Sequence, residues 1–206
     1  VSNQTINLAA AEELNSLFFE VLIAPGYDVD ALELLKGKKN RILLVKKQNL
    51  TAKKQYKSLL NGVIVQDRDL VTDQAKHFKT VTKREVTEAQ KRALVFASKV
   101  CKHTKSNTII LANEDQMLSS GVGQTSRVDA LKQAIEKAKV FGFELKGAVM
   151  ASDAFFPFPD CVEIAHGEGI EAVIQPGGSI KDDLSINFCN EHNMAMVFTG
   201  TRHFKH

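Results

Sequence analysis

Met150-Ala151-Ser152-Asp153-Ala154-Phe155-Phe156-Pro157-Phe158-Pro159-Asp160 is the stretch on which the reading of this chain turns. The apolar run from Gly147 to Ala151 predicts a short buried strand, and a carboxylate, Asp153, stands at its end. Phe155, Phe156 and Phe158 follow, broken by Pro157 and Pro159. Proline fixes φ and removes a backbone donor, so neither a regular helix nor a central strand runs through this segment. It reads as a stiff loop at the carboxyl end of a strand, where ligands bind in open α/β sheets. Phenylalanines are costly to expose, so these either pack into a core or face a flat ligand. Composition favours packing, because apolar loop residues are commonly buried.

On the C-terminal side of this loop, Asp160 to Glu168 predicts a helix and Ala172 to Gln175 a strand. Pro176-Gly177-Gly178-Ser179 predicts a turn that caps a helix over Lys181 to His192, and Met194 to Phe198 is the last strand before a polar tail. On the N-terminal side, Thr87-Glu88-Ala89-Gln90 is a capping box, in which the Thr hydroxyl takes the N3 amide and Gln reaches back. It opens a helix with Leu94, Ala97, Val100 and Cys101 on its apolar face. Thr108 to Leu111 and Gln116 to Ser120 flank the Asn113-Glu114-Asp115 turn and predict a hairpin. Ser126 and Asp129 start a helix whose buried stripe is Val128, Leu131, Ile135 and Ala138. Helix, hairpin, helix, strand, helix, strand, helix, strand is the order of a three-layer α/β unit with a mixed sheet.

Earlier still, Asn7 caps a helix over Leu8 to Phe18, and Val21 to Ala24 is a strand stopped by Pro25-Gly26. Asp28 opens a helix ended by Gly37, and Arg41 to Val45 is a second strand. This alternation again suits a sheet covered by helices. Gln48 to Leu60 is weakly patterned and reads as a connection. Gly62 to Asp69 reads as a strand ending in local ion pairs among Asp67, Arg68 and Asp69. Two units are expected, residues 1–77 and 78–206.

A hydrophobic fraction of 44% and a charged fraction of 25% over 206 residues suit a soluble chain with a sizeable core. There is no run of about 18 apolar residues to span a membrane, and no basic and apolar leader at the start. The expected location is the cytoplasm. The chain opens at Val1 without a methionine, which reads as a piece of something longer. Cys101, Cys161 and Cys189 are scattered, with no CxxC, as in a reducing compartment. The lysines between Lys36 and Lys57 are not interleaved with a run of aromatics, so a solvated face is expected and no nucleic-acid partner. The net charge of +3 would still favour a small anionic substrate.

Polar clusters at Thr104 to Asn107, Gly123 to Arg127, Ser152 to Asp153 and Arg202 to His206 each flank a strand. Loops at one edge of a sheet can converge. Arg127 and Arg202 suit a phosphate or carboxylate, because the planar fork matches two oxygens at once. Amides around Gly121-Val122-Gly123 and at the Ser126 helix start would add to an anion site. Each cluster also has a plainer reading. Gly-x-Gly most often makes a turn, a C-terminal His pair usually sits in solvent, and an Asn can cap a helix. No cysteine has an evident His partner, and the PCxxC that must accompany HxE in a zinc deaminase does not occur, which leaves His166-Gly167-Glu168 an isolated match. Read from the residues alone, this is a soluble α/β domain in which an anion site is one of the readings left open.

Several stretches, in order, resemble one family. They are Lys105-Ser106-Asn107, Gly123 to Val128, Ala151 to Phe158, Val173 to Asp183, and Phe198 to His206. Together they are similar to the C-terminal part of the bifunctional purine-biosynthesis enzymes that join AICAR transformylase to IMP cyclohydrolase. The resemblance implies transfer of a formyl group from 10-formyltetrahydrofolate, the cosubstrate, to the 5-amino group of AICAR. It implies two cytidine-deaminase-like lobes without zinc, residues 1–77 being the end of the first and 78–206 the whole of the second, and a homodimer.

By the same resemblance Asn107 is the catalytic asparagine. Arg127, Phe155, Arg202, His206 and Glu20 bind substrate, Arg202 at the AICAR phosphate. Cys101 (through its carbonyl), Thr104, Ser106, Asp153 and His206 fall where the family can hold potassium, a structural ion suited to hard oxygen ligands. The AICAR amine is a poor nucleophile, so catalysis needs a base near it and donors on the formyl oxygen. The family's Lys-His pair supplies proton transfer and would lie upstream of Val1, with the cyclohydrolase domain. His103 and His203 do not sit in its motif. The chain alone is therefore expected to be inactive. The alternative is a non-catalytic nucleotide- and folate-binding and dimerisation module.

Overall fold

The structure is a computed structural model that describes residues 1–48 and 52–205. It divides into two compact units, Val1–Arg68 and Asp69–His206.

In the first unit α1 (Leu8–Ser16) is capped by Asn7, whose side-chain oxygen accepts the Ala10 N–H at 2.9 Å. β1 (Val21–Ala24), α2 (Val29–Lys36) and β2 (Ile42–Val45) follow, with β1 and β2 paired in parallel. Ile6, Ala11, Leu22, Ala24, Ala31 and Leu35 form their core. β3 (Lys54–Leu59) and β4 (Gly62–Asp67) make an antiparallel hairpin around Leu60 and Asn61. The stretch read as a connection over Gln48 to Leu60 is thus a strand in its later part, and residues 49–51 lie outside those described. Every β3 residue is exposed, so no inward face marks the strand by alternation, and pairing with β4 alone defines it.

The second unit contains β5 (Lys79–Thr80), α3 (Glu88–His103), β6 (Ile109–Ala112), β7 (Met117–Gly121), α4 (Arg127–Val140), β8 (Val149–Ser152), α5 (Asp160–Gly167), β9 (Ala172–Gln175), α6 (Asp182–Glu191) and β10 (Ala195–Phe198). Its sheet runs β5-β10-β9-β8-β6-β7. β8, β9 and β10 are parallel, while β6 runs antiparallel to both β8 and β7, and β5 to β10. This is the mixed sheet expected. The unit begins before residue 78: Asp73 accepts the Ser98 hydroxyl at 2.6 Å, fastening the preceding segment to α3.

Alternation along the strands feeds two separate apolar clusters. Ile109, Leu111, Met150, Val173 and Met196 pack with side chains of α4, α5 and α6. Ile110, Ala112, Val149, Ala151, Ile174 and Val197 pack with Leu94, Ala97 and Cys101 of α3. Strands buried on both faces read as continuous apolar runs, which is why β8 stood out. The Thr87 capping box forms with both of its hydrogen bonds. The Ser179 cap does not. The amides of Gly178 and Ser179 instead donate to Asp182 Oδ2 at 2.7 and 3.1 Å, a first-turn carboxylate reaching back from α6.

Gly121 has a purpose that the Gly-x-Gly pattern did not disclose. A Cβ there would stand 1.7 Å from the Ala130 carbonyl oxygen, so this glycine lets α4 lie directly against β7. Gly123, at φ +70, makes the turn.

Candidate functional site

Strand register brings the polar clusters to one end of the sheet. Ile109, at the start of β6, is opposite both Gly121 and Ser152. Ala151 is opposite Ile174, and Gln175 opposite Phe198. The segment before β6 and the segments after β7, β8, β9 and β10 therefore emerge together.

Asn107 precedes β6 and is half-buried. Its backbone exchanges hydrogen bonds with Gln124, N–H to O at 3.3 and 3.2 Å. Its side-chain Nδ2 donates to the Gln124 and Thr125 carbonyls at 3.0 and 3.1 Å. Two carbonyl partners fix the amide orientation, because only the NH2 end can donate. Oδ1 has no partner among the described residues, so the residue presents an acceptor.

Asp153, just past β8, is fully buried. Its Oδ1 accepts the Thr108 N–H and an Arg127 Nη2–H, both at 3.4 Å, while Oδ2 has no partner among the described residues. Arg127 is the first residue of α4, positioned by the Ser126 cap on the Asp129 N–H at 3.0 Å. Its Cζ lies 5.9 Å from the Phe204 ring centroid.

The Phe-rich loop divides its rings. Phe156 is fully buried, its N–H donating to Gln175 Oε1 at 3.0 Å. Phe155 is half-buried, with the Arg202 Cζ 4.7 Å from its centroid. Phe158 is exposed and carries Lys181 Nζ at 4.3 Å. Packing accounts for one ring, and two rings seat cations.

The Cys101 carbonyl, in the last turn of α3, accepts the Thr104 N–H and hydroxyl at 3.1 and 2.7 Å. Ser106 pairs with the tail: its N–H donates to the Lys205 carbonyl at 2.9 Å, and its Oγ accepts the Lys205 N–H at 2.8 Å. Glu20 belongs to the first unit, where it is exposed and lines a cavity of about 600 Å³ with Phe19, Lys38 and Arg41. His206 lies outside the described residues.

His203 is the residue that sequence reasoning passed over. It is 4% exposed, and its ring nitrogens lie 2.6 Å from Asp69 Oδ2 and 3.0 Å from Asp73 Oδ2. Burial by itself would lower its pKa, but the bonds and charges of the two carboxylates outweigh burial and raise it. Burial would raise Asp73, but bonds from His203 and Ser98 and the charges of His203 and His77 hold it low. Asp69 therefore does not make the local pair read at Asp67 to Asp69. The partners are 134 and 130 residues apart in the chain, and no sequence pattern connects them.

The fold and these strand-end groups define an α/β protein whose site is suited to an anionic ligand. Residues 1–137 match the AICARFT/IMPCHase bienzyme family, and the chain belongs to it. It is 65% identical to the bifunctional purine biosynthesis protein PurH of Bacteroides thetaiotaomicron over 100% of this chain and 41% of that protein. It is 50% identical to PurH of Aquifex aeolicus over 99% of this chain and 40% of that one, and 46% identical to PurH of Enterococcus faecalis over 100% and 40%. The chain thus spans about two fifths of the length of these relatives. A deaminase/reductase structure from Thermotoga maritima overlaps 54% of this chain and 35% of its own at a TM-score of 0.35 and 19% identity, too little likeness to argue from.

Proposed function

We propose that this chain is part of an AICAR formyltransferase, which moves the formyl group of 10-formyltetrahydrofolate to AICAR and gives FAICAR in purine biosynthesis. The observation that carries this reading is the convergence of Asn107, Arg127, Asp153, Phe155 and Arg202 at one end of one sheet, in a member of the AICARFT/IMPCHase family.

Arg202 carries a cation on the Phe155 face and takes the phosphate, while the neighbouring ring lies against a flat substrate. Arg127, paired with Asp153, takes a second polar group. Asn107 Oδ1 accepts from the attacking amine, whose nitrogen gains positive charge as it adds to the formyl carbon. Negative charge on the formyl oxygen calls for donors, and the departing proton for a base. The Lys-His pair that the family resemblance assigns to this transfer has no match in the chain.

The Cys101 carbonyl, Thr104, Ser106 and Asp153 offer oxygen donors, and the unpartnered, buried Asp153 Oδ2 suits a hard monovalent cation. Potassium held there would supply charge neutralisation and fix the segments around Asn107. We read the second unit as a three-layer, cytidine-deaminase-like lobe without zinc, with Val1–Arg68 as the end of a first lobe. Apolar clusters on both sheet faces support the layering. A cytoplasmic homodimer completes the reading, and among the described residues no helix is long and apolar enough to cross a membrane.

The internal use of both Asn107 amide hydrogens favours one alternative, a nucleotide- and folate-binding and dimerisation module without chemistry. The test is formyl transfer by the full-length protein, with Arg202→Ala beside it. Turnover whose KM for AICAR rises roughly ten- to hundredfold in the variant, the loss of one charged hydrogen bond, supports the transferase. Nucleotide binding without turnover supports the module.

A further inference from the structure

We infer that His203 is a positioning residue, which sets the place of Arg202 above Phe155 by clamping the C-terminal tail between Asp69 and Asp73. This rests on the transferase reading and adds to it a residue outside the matched motifs.

The tail from Thr199 to Lys205 has no regular secondary structure, so individual contacts hold it. Thr199 and Gly200 donate to the Gln175 and Pro176 carbonyls at 3.0 Å each. Beyond them, His203 carries the tail's only buried side chain. It is fixed at three points. The ring nitrogens hold Asp69 and Asp73, and the main-chain N–H donates to the Asp153 carbonyl at 3.0 Å. The carboxylates are themselves anchored to α3. Asp73 accepts the Ser98 hydroxyl, and Lys102 Nζ lies 3.3 Å from Thr72 Oγ1 and 3.8 Å from Asp69 Oδ1.

Arg202, one residue earlier, is exposed, and its side chain has no hydrogen bond or ion pair among the described residues. Its guanidinium rests on the Phe155 ring. A long side chain without hydrogen bonds points wherever its backbone aims it, and binding then costs the entropy of ordering it. His203 fixes that backbone to the loop that carries Phe155, so the cation and its ring arrive as one preformed surface. In this arrangement His203 touches no substrate and acts through Arg202.

The test uses the full-length protein as wild type, Arg202→Ala, His203→Gln and the double variant, in steady-state formyl transfer with AICAR varied. Gln puts its amide nitrogen in place of one ring nitrogen only and turns its oxygen towards the other carboxylate, which loosens the clamp. The expected result is a KM for AICAR raised about fivefold or more by His203→Gln, with kcat within about twofold, and a double variant no worse than Arg202→Ala alone. Asp69→Asn, at a partly exposed carboxylate, should shift KM in the same direction by less, and it serves if His203→Gln does not fold. The inference is overturned if Arg202→Ala raises KM while His203→Gln and Asp69→Asn do not; the transferase reading would then stand. It is also overturned if the His203→Gln effect multiplies that of Arg202→Ala, since His203 would then act independently. A wild type without formyl transfer, or an Arg202→Ala variant with unchanged KM, would remove the transferase reading and the inference with it.

Discussion

The guanidinium of Arg202 rests on the face of Phe155, 4.7 Å from the ring centroid. A cation–π contact at such a site contributes about 0.5–1 kcal/mol. The next ring in the chain, Phe156, has no exposure at all. Adjacent phenylalanines therefore do different work. Phe155→Ala should cost under about 1 kcal/mol of stability and raise the KM for a phosphorylated substrate. Phe156→Ala should cost about 3–5 kcal/mol, the range for emptying an aromatic site in a core. Urea denaturation of the two variants checks the contrast, and equal losses would contradict it.

Gly121 offers a sharper test of packing. Its missing side chain is what allows α4 to meet β7, since a Cβ would overlap the Ala130 carbonyl. Gly121→Ala should destabilise the protein by several kcal/mol, well beyond the ordinary scale of about 1 kcal/mol for a point substitution. A thermal melt within a few degrees of wild type would show that helix and strand can separate cheaply.

The His203 contact makes stability depend on pH in a defined direction. A raised histidine contributes stability that is fully present below its unfolded value, 6.5, and is lost as pH rises through the folded value. A lowered carboxylate contributes stability that is present above its unfolded value, 3.8, and is lost as pH falls through the folded value. The contact is therefore worth most between 3.8 and 6.5. The gap in unfolding midpoint between wild type and His203→Gln should be widest near about pH 5 to 6 and shrink towards about pH 9. A gap that grows with pH would contradict the assignment.

The cysteines should be inert in the folded chain. Burial pushes the thiols of Cys161 and Cys189 up to about 12. Burial and the Asp153 charge push Cys101 well above 9.0 against the opposing Arg127 charge. Thiolate is the reactive form. Alkylation near about pH 8 should label none of the three thiols in native protein and all three in denaturant; a fast-reacting native thiol would show an opening at that site.

Much of this fold was legible because its signals are local or doubled. The Thr87–Gln90 box and the Asn7 cap lie within one helical turn, and β8 and β9 are apolar up to their last residues, Ser152 and Gln175, because both faces are covered. The convergence of Arg127, Asp153 and Arg202 followed from the rule that parallel strands release their loops at one end, and Asn107 joins them because β6 runs the other way. What escaped reading depends on partners far away or on atoms that are absent. β3 has no buried face, and β5 has two residues. Asp182 rather than Ser179 takes the turn amides, a choice that side-chain reach decides. Gly121 looked like a loop glycine because nothing near it in sequence announces α4. His203 sat in a polar tail, and only the folded chain sets it beside Asp69 and Asp73.

The most direct measurement is formyl transfer from 10-formyltetrahydrofolate to AICAR by the full-length protein carrying Asn107→Ala, with its thermal unfolding midpoint as the internal control. Loss of a group acting on the transition state should lower kcat by about a hundredfold or more and leave the unfolding midpoint near that of wild type. Formyl transfer unchanged by Asn107→Ala would contradict a catalytic site at this end of the sheet.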